Sequence, residues 1–134
     1  MVSIVIVSHS SKAAEGIKEI ALQMAEDPEL KIFSCGGSKG GGIGTDPDEI
    51  SKALENAYSK DGTVVMADLG SAVMSVEMII ENMPGGKGHR IRIADAPIVE
   101  GAVLAAVEAS GGGDLKKVLA SAEAARDMRK IEGG

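Results

Sequence analysis

Aromatic side chains are almost missing from this sequence, which has no tryptophan, one phenylalanine (Phe33) and one tyrosine (Tyr58). Single-stranded nucleic acid is held on aromatic platforms where bases stack, and a flavin is flanked by rings, so neither ligand finds its usual seat here. Positive charge is short as well. Lysine and arginine number 14 against 20 aspartate and glutamate, a formal net charge of −6 at pH 7, and such a surface repels a phosphate backbone. Cys35 is the single cysteine, so no intrachain disulfide can form, and with only His9 and His89 beside it there are too few ligands for a Cys/His zinc cluster. No metal site is expected, and a reducing cytoplasm fits. No apolar run approaches the roughly 18 residues of a membrane span, and no basic stretch precedes the short apolar segment at the amino end. Neither export nor membrane insertion is expected.

What is present is a regular alternation of strand and helix signals over a length that suits one core, so residues 1–134 are expected to form a single domain. Val2 to Val7 is a β-branched run of the kind a strand covered on both faces requires. Ile17, Ile20, Ala21 and Met24 then recur at helical spacing up to Asp27-Pro28, and Leu30 to Cys35 reads as a second strand. A glycine-rich loop from Gly36 to Thr45 leads into Asp46-Pro47, an N-cap followed by a proline suited to the first helical position. Beyond the Asp61-Gly62 turn come a third strand, Thr63 to Ala67, a helix from Ser71 to Met83, and a fourth strand from His89 to Ala94. Two further helices are predicted, about Ile98 to Ala109 and Leu115 to Lys130. The pattern predicts an α/β fold: a doubly wound, mainly parallel four-stranded sheet in the order 2-1-3-4, with helices on both faces.

In such a sheet the carboxyl ends of the strands carry the ligand crevice, and His9 falls at the end of strand 1. Imidazole is the side chain best able to act as nucleophile or base near neutral pH, so His9 is a candidate reaction centre; a helix cap or an ordinary loop histidine is the other reading. Order 2-1-3-4 puts strand 3 beside strand 1, so Asp68 should face the same crevice and fix the tautomer of His9, leaving one ring nitrogen free to attack. Asp68-Leu69-Gly70-Ser71 can also be read as a turn and helix start. Backbone N–H groups of Ser10 and Ser11, at the amino end of the first helix, would point at an anion beside His9. His89 belongs at the opposite edge of the sheet and reads as structural. The glycine-rich loop matches neither established phosphate-binding pattern and could be a flexible surface loop, while Met66, Met74, Met78 and Met83 are core residues or, where exposed, an adaptable docking surface.

Together, Ile4-Val5-Ile6-Val7-Ser8-His9-Ser10, Gly44-Thr45-Asp46, Asp68-Leu69-Gly70-Ser71-Ala72 and Ala96-Pro97-Ile98-Val99-Glu100-Gly101 resemble the phosphotransfer subunits of bacterial dihydroxyacetone kinases, the DhaM family, which is related to mannose-type EIIA domains. The resemblance runs over nearly the whole chain. It implies a homodimer with a phosphoryl-accepting His9, an orienting Asp68, and Thr45 and Ser71 lining the phosphoryl pocket. It further implies a donor, phospho-HPr, and an acceptor, Mg-ADP bound on the partner subunit DhaL, whose ATP phosphorylates dihydroxyacetone held on DhaK. No cofactor is implied on this chain itself. Some members carry HPr-like and Enzyme I-like domains; the sequence ends at Gly134 without them, so the donor is expected to be a separate protein. Asp95 lies just outside the last motif and reads as a turn or helix-start residue. A sugar-transporting mannose-type EIIA domain uses the same histidine with a different acceptor and is the main alternative. A response-receiver domain would need an acidic cluster after strand 1, and a histidine phosphatase an arginine beside its nucleophile; Val7-Ser8-His9-Ser10 offers neither.

Overall fold

The structure is a computed structural model that describes residues 1–133. Four strands, β1 (Ser3–Ser8), β2 (Ile32–Gly36), β3 (Thr63–Ala67) and β4 (Ile91–Ile93), form one sheet in the order β2-β1-β3-β4, with every neighbouring pair parallel. Five α-helices connect and cover it: α1 (Ser11–Ala25), α2 (Pro47–Ala57), α3 (Gly70–Glu81), α4 (Ile98–Ser110) and α5 (Leu115–Glu123).

Side-chain alternation along the strands builds two cores. Ile4, Ile6, Val64 and Met66 point to one face, where α1, α4 and α5 bring Ala14, Ile17, Ala105 and Val118 against them. Val5, Val7, Val65 and Ala67 point to the other face, against Ile50 and Leu54 of α2 and Ala72 and Val76 of α3. β1 is buried along its whole length, which explains why its central residues Ile4 to Val7 are an unbroken apolar run rather than an alternating one. Each such Val or Ile stabilises the fold by roughly 1.5–3 kcal/mol. On the first face α4 contributes mostly small residues, Gly101, Ala102, Ala105, Ala106 and Ala109, which let it approach closely; a Cβ at Gly101 would come within 2.4 Å of Met66 Cε.

Side-chain caps start three helices, one of them Asp114 at α5, whose Oδ1 accepts from the Lys117 amide at 2.9 Å. Ser10 Oγ accepts from the Ala13 amide at the start of α1, and Asp46 Oδ1 accepts from the Asp48 amide at the start of α2, where Pro47 is the first helical residue. Several boundaries differ from the sequence pattern, β2 running from Ile32 to Gly36 rather than from Leu30 to Cys35. The fourth strand is only Ile91–Ile93, because Gly85 and Gly86 take positive φ within a 3₁₀ segment over Pro84–Arg90 that occupies the residues before it. Helix α3 ends at Glu81, two residues before Met83, with the Asn82 side chain donating to the Met78 carbonyl. Helix α5 ends at Glu123 and passes into a 3₁₀ turn over Ala124–Asp127, well short of Lys130. Beyond Ala125 the residues are exposed, so no core contact extends the helix.

Candidate phosphoryl-transfer site

Register creates the site. Val7 of β1 pairs with Ala67 of β3, and the Asp68 amide extends the ladder to the Val7 carbonyl at 3.2 Å, so the residues that leave these two strands emerge side by side. His9 and Asp68 therefore meet at the carboxyl edge of the sheet. The Asp68 carboxylate is engaged on both oxygens: Oδ2 accepts from the Ser8 hydroxyl at 2.8 Å and the His9 amide at 2.9 Å, and Oδ1 from the Leu69 amide at 2.8 Å and His9 Nδ1 at 2.9 Å. Burial works against ionisation of Asp68, but the His9 amide, the His9 ring, the Ser8 hydroxyl and the Leu69 amide together outweigh it and hold the carboxyl below its usual range.

An ionised carboxylate only accepts hydrogen bonds, which assigns the ring proton of neutral His9 to Nδ1 and leaves a lone pair on Nε2. Ser71, in the first turn of α3, donates its hydroxyl to that nitrogen at 2.7 Å. The ring is thus held at both nitrogens, with its nucleophilic atom on the more exposed side.

The glycine-rich loop is a structured strap over this edge. Its tip is pinned by Ser38, whose amide bonds the Gly42 carbonyl at 2.9 Å and whose carbonyl accepts from the Gly41 amide at 2.9 Å; Ser38 Oγ accepts from the Gly42 amide at 3.2 Å. The exposed pair Lys39–Asp48, at 3.0 Å, ties the loop to α2. From the far end of the strap the Gly44 amide donates to the His9 carbonyl at 2.9 Å, which requires Gly44 at φ +144. Gly36, at the near end, lies directly under the His9 loop: a Cβ there would stand 2.7 Å from both the Ser8 and Ser10 carbonyl oxygens.

Three observations converge on one chemistry: an oriented imidazole, a fixed tautomer and a hydroxyl at the free nitrogen. The family model EIIA-man, described as the PTS system fructose IIA component, matches residues 3–119. The chain belongs to that family. It is 37% identical over 108 residues to a PEP-dependent dihydroxyacetone kinase 2 phosphoryl donor subunit DhaM of Listeria innocua, covering 81% of this chain and 86% of that one. DhaM subunits of Escherichia coli and Klebsiella michiganensis are 37% and 35% identical over its full length. The chain spans 29% of the length of these last two relatives. Among solved structures, the crystal structure of a protein of unknown function, EF1359, superposes with a TM-score of 0.80 at 38% identity, over 92% of this chain and 94% of that one. Within EIIA-man the chain groups with the DhaM phosphotransfer subunits.

In this EIIA-man domain the residues expected at the site are distributed unevenly. His9, Asp68 and Ser71 are in direct contact. Ser10 is not an offered anion donor as expected: its amide turns inward to Ser8 Oγ at 3.1 Å and its hydroxyl caps α1. Ser11 is exposed in the first turn of α1, where helical geometry leaves its amide without an intrahelical acceptor. Thr45 lines a depression of about 270 Å³ with Lys39, Asp46, Pro47 and Asp48, and the bond to the His9 backbone comes from Gly44 instead. His89 lies at the opposite edge, with its carbonyl accepting from Arg92. Asp95 pairs with Arg126 at 2.9 Å and its amide binds Glu123, so it is a turn residue. Among the described residues no group of three His, Cys, Asp or Glu side chains could hold a metal ion, and no helix is long and apolar enough to cross a membrane.

The sequence reading missed Ser8, Gly36 and Gly44. Ser8 carried a signal, as the hydroxyl that closes the apolar run from Ile4 to Val7. Gly44 stood in the Gly44-Thr45-Asp46 motif without a role of its own, and Gly36 carried no signal, because what each does depends on which backbone atoms lie above it.

Proposed function

We propose that this chain is the phosphohistidine relay of a dihydroxyacetone kinase system: His9 Nε2 accepts a phosphoryl group from phospho-HPr and passes it to ADP held with Mg²⁺ on the subunit DhaL, and the ATP formed there serves DhaK. The observation that carries the proposal is the clamped ring, with Nδ1 on Asp68 and Nε2 turned to Ser71. In the first transfer the Nε2 lone pair attacks phosphorus, the donor's N–P bond breaks, and its electron pair returns to the donor imidazole. No proton has to leave Nε2, because Asp68 keeps it on Nδ1. Ser71 Oγ stands where phosphorus must arrive, so its side chain turns aside and donates to a phosphoryl oxygen instead. The Ser11 amide lies on the same edge for a second oxygen. The return step runs the same geometry in reverse, and catalysis is chiefly positioning.

The relatives named as phosphoryl donor subunits DhaM support this acceptor. The family description as a fructose component supports a second reading, a sugar-transporting EIIA domain, in which the same His9 serves a different acceptor. Incubation with labelled phosphoenolpyruvate, Enzyme I and HPr tests both. An acid-labile, base-stable label is expected on the wild type and none on His9→Ala, and its discharge by DhaL with ADP rather than by a sugar permease selects the kinase. We further propose that the chain works as a homodimer in a reducing cytoplasm, which sedimentation of the purified protein would check.

A further inference from the structure

Ser71, His9 and Asp68 are joined in one line of hydrogen bonds. Ser71 Oγ lies 2.7 Å from Nε2, and Nδ1 lies 2.9 Å from an Asp68 carboxylate that is itself held by three other donors. This is the constellation that activates a serine for acyl transfer: a hydroxyl on the free nitrogen of an imidazole whose other nitrogen is fixed by a carboxylate, here the partly buried Asp68. Two accessory conditions are also met. Ser71 is exposed, and a Cβ at Gly70 would meet nothing within 4 Å, so an ester can reach the hydroxyl. The amides of Gly70 and Ser71 belong to the first turn of α3, where no intrahelical carbonyl is available to them, so they can donate to a developing oxyanion.

We infer that, in its unphosphorylated form, this chain has a second activity, serine acyl transfer at Ser71 with His9 as general base. The Ser71 oxygen attacks the ester carbonyl carbon and its proton passes to His9 Nε2. The tetrahedral intermediate then collapses, the bond to the alcohol oxygen breaks, and that oxygen leaves with the proton from His9. Water, deprotonated by His9, releases the acyl group as the acid and regenerates the serine. Substrates should be small esters, since the Ser71 hydroxyl lies at the exposed start of α3, beside rather than inside the groove of about 380 Å³ lined by Asp68, Gly70, Glu77 and Asp95. The two activities exclude each other, because a phosphoryl group on Nε2 removes the base. The inference uses the residues of the relay but does not require that His9 be phosphorylated in the cell.

The test is p-nitrophenyl acetate with the whole protein, following nitrophenolate release and locating the acetyl group by tandem mass spectrometry. The expected result is acetyl-Ser71, formed about 100-fold or more faster than in His9→Ala and absent from Ser71→Ala and from protein first phosphorylated by the Enzyme I and HPr mixture. Acetylation found only on His9 or on lysines, acetyl-Ser71 formed as fast in His9→Ala, or no acetyl-Ser71 at all would overturn it. If the protein fails to phosphorylate but acetylates at Ser71, the relay proposal falls and this one stands.

Discussion

Replacing Gly36 by alanine should disable His9 without touching it. The added Cβ would stand 2.7 Å from the carbonyl oxygens of Ser8 and Ser10 and 2.9 Å from the Ser10 carbonyl carbon, about 0.7 Å inside the 3.4 Å at which ordinary contact begins. All three obstacles are backbone atoms, so no side chain can swing away, and they flank His9 on both sides. Relief comes by lifting the His9 loop off β2. A shift of that size along the His9 Nδ1 to Asp68 Oδ1 bond would stretch it from 2.9 Å to about 3.6 Å, beyond hydrogen-bond range. Displacements approaching 1 Å in a reacting group cost up to about 100-fold in rate, so phosphoryl transfer to His9 should slow about 10- to 100-fold, with overpacking costing about 1–3 kcal/mol of stability. Quenched-flow intact-mass measurement of phosphorylation gives the rate. Nitrogen-15 NMR of the imidazole gives the cause, since a ring released from Asp68 should populate both tautomers. Gly16→Ala is the control, because a Cβ there meets nothing within 4 Å, and it should leave the rate unchanged while slightly stabilising α1. A Gly36→Ala protein with wild-type rate and an unchanged tautomer would refute the positioning argument.

Asp68→Asn should slow transfer by a large factor, whereas Asp95→Ala, which breaks only an exposed pair with Arg126, should change it little; equal losses would contradict the site geometry. Because the folded-state Asp68 carboxyl is depressed below its ordinary 3.8, its stabilising effect is fully present above that value and is lost as pH falls through the folded pKa. Chemical denaturation of wild type and Asp68→Asn should therefore show a constant difference above about pH 5 that narrows in stronger acid. Cys35, pushed up to about 11 from 9.0 by burial first and by Glu49 second, should react with iodoacetamide at pH 8 about 100-fold more slowly than in the unfolded chain, and equal rates would show the thiol to be accessible. If the donor and acceptor dock in turn on the edge around His9, Met74, an exposed thioether on α3, belongs to that face, and Met74→Asp should weaken both complexes in titration calorimetry while leaving the fold intact.

Much of this was legible in the chain because the physics behind it is local. An apolar run in β1 reports burial on both faces, and Asp46-Pro47 marks a helix start through bonds made within a few residues. Strand and helix alternation then leaves few topologies, and the sheet order with His9 and Asp68 on adjacent strands follows from it. Even the fourth strand and the last helix were legible as elements, and only their ends were misplaced. Those ends depend on where packing stops: nothing in Glu123 to Lys130 announces that the core has already ended at Ala125.

The tertiary structure alone decided how the site is held. Whether Ser10 offers its amide to an anion or spends it on Ser8 is a matter of a few ångströms of loop path, and both outcomes share one sequence. Gly36 looks like any of the 18 glycines until the His9 loop is laid across it, and the glycine-rich segment becomes a strap only through the bonds Ser38 and Gly44 make. Residue type and periodicity determined that a histidine and an aspartate would share one sheet edge, since register carries them there. Which hydroxyls and amides complete their hydrogen bonds was settled by contacts between segments some sixty residues apart, and no local pattern encodes those.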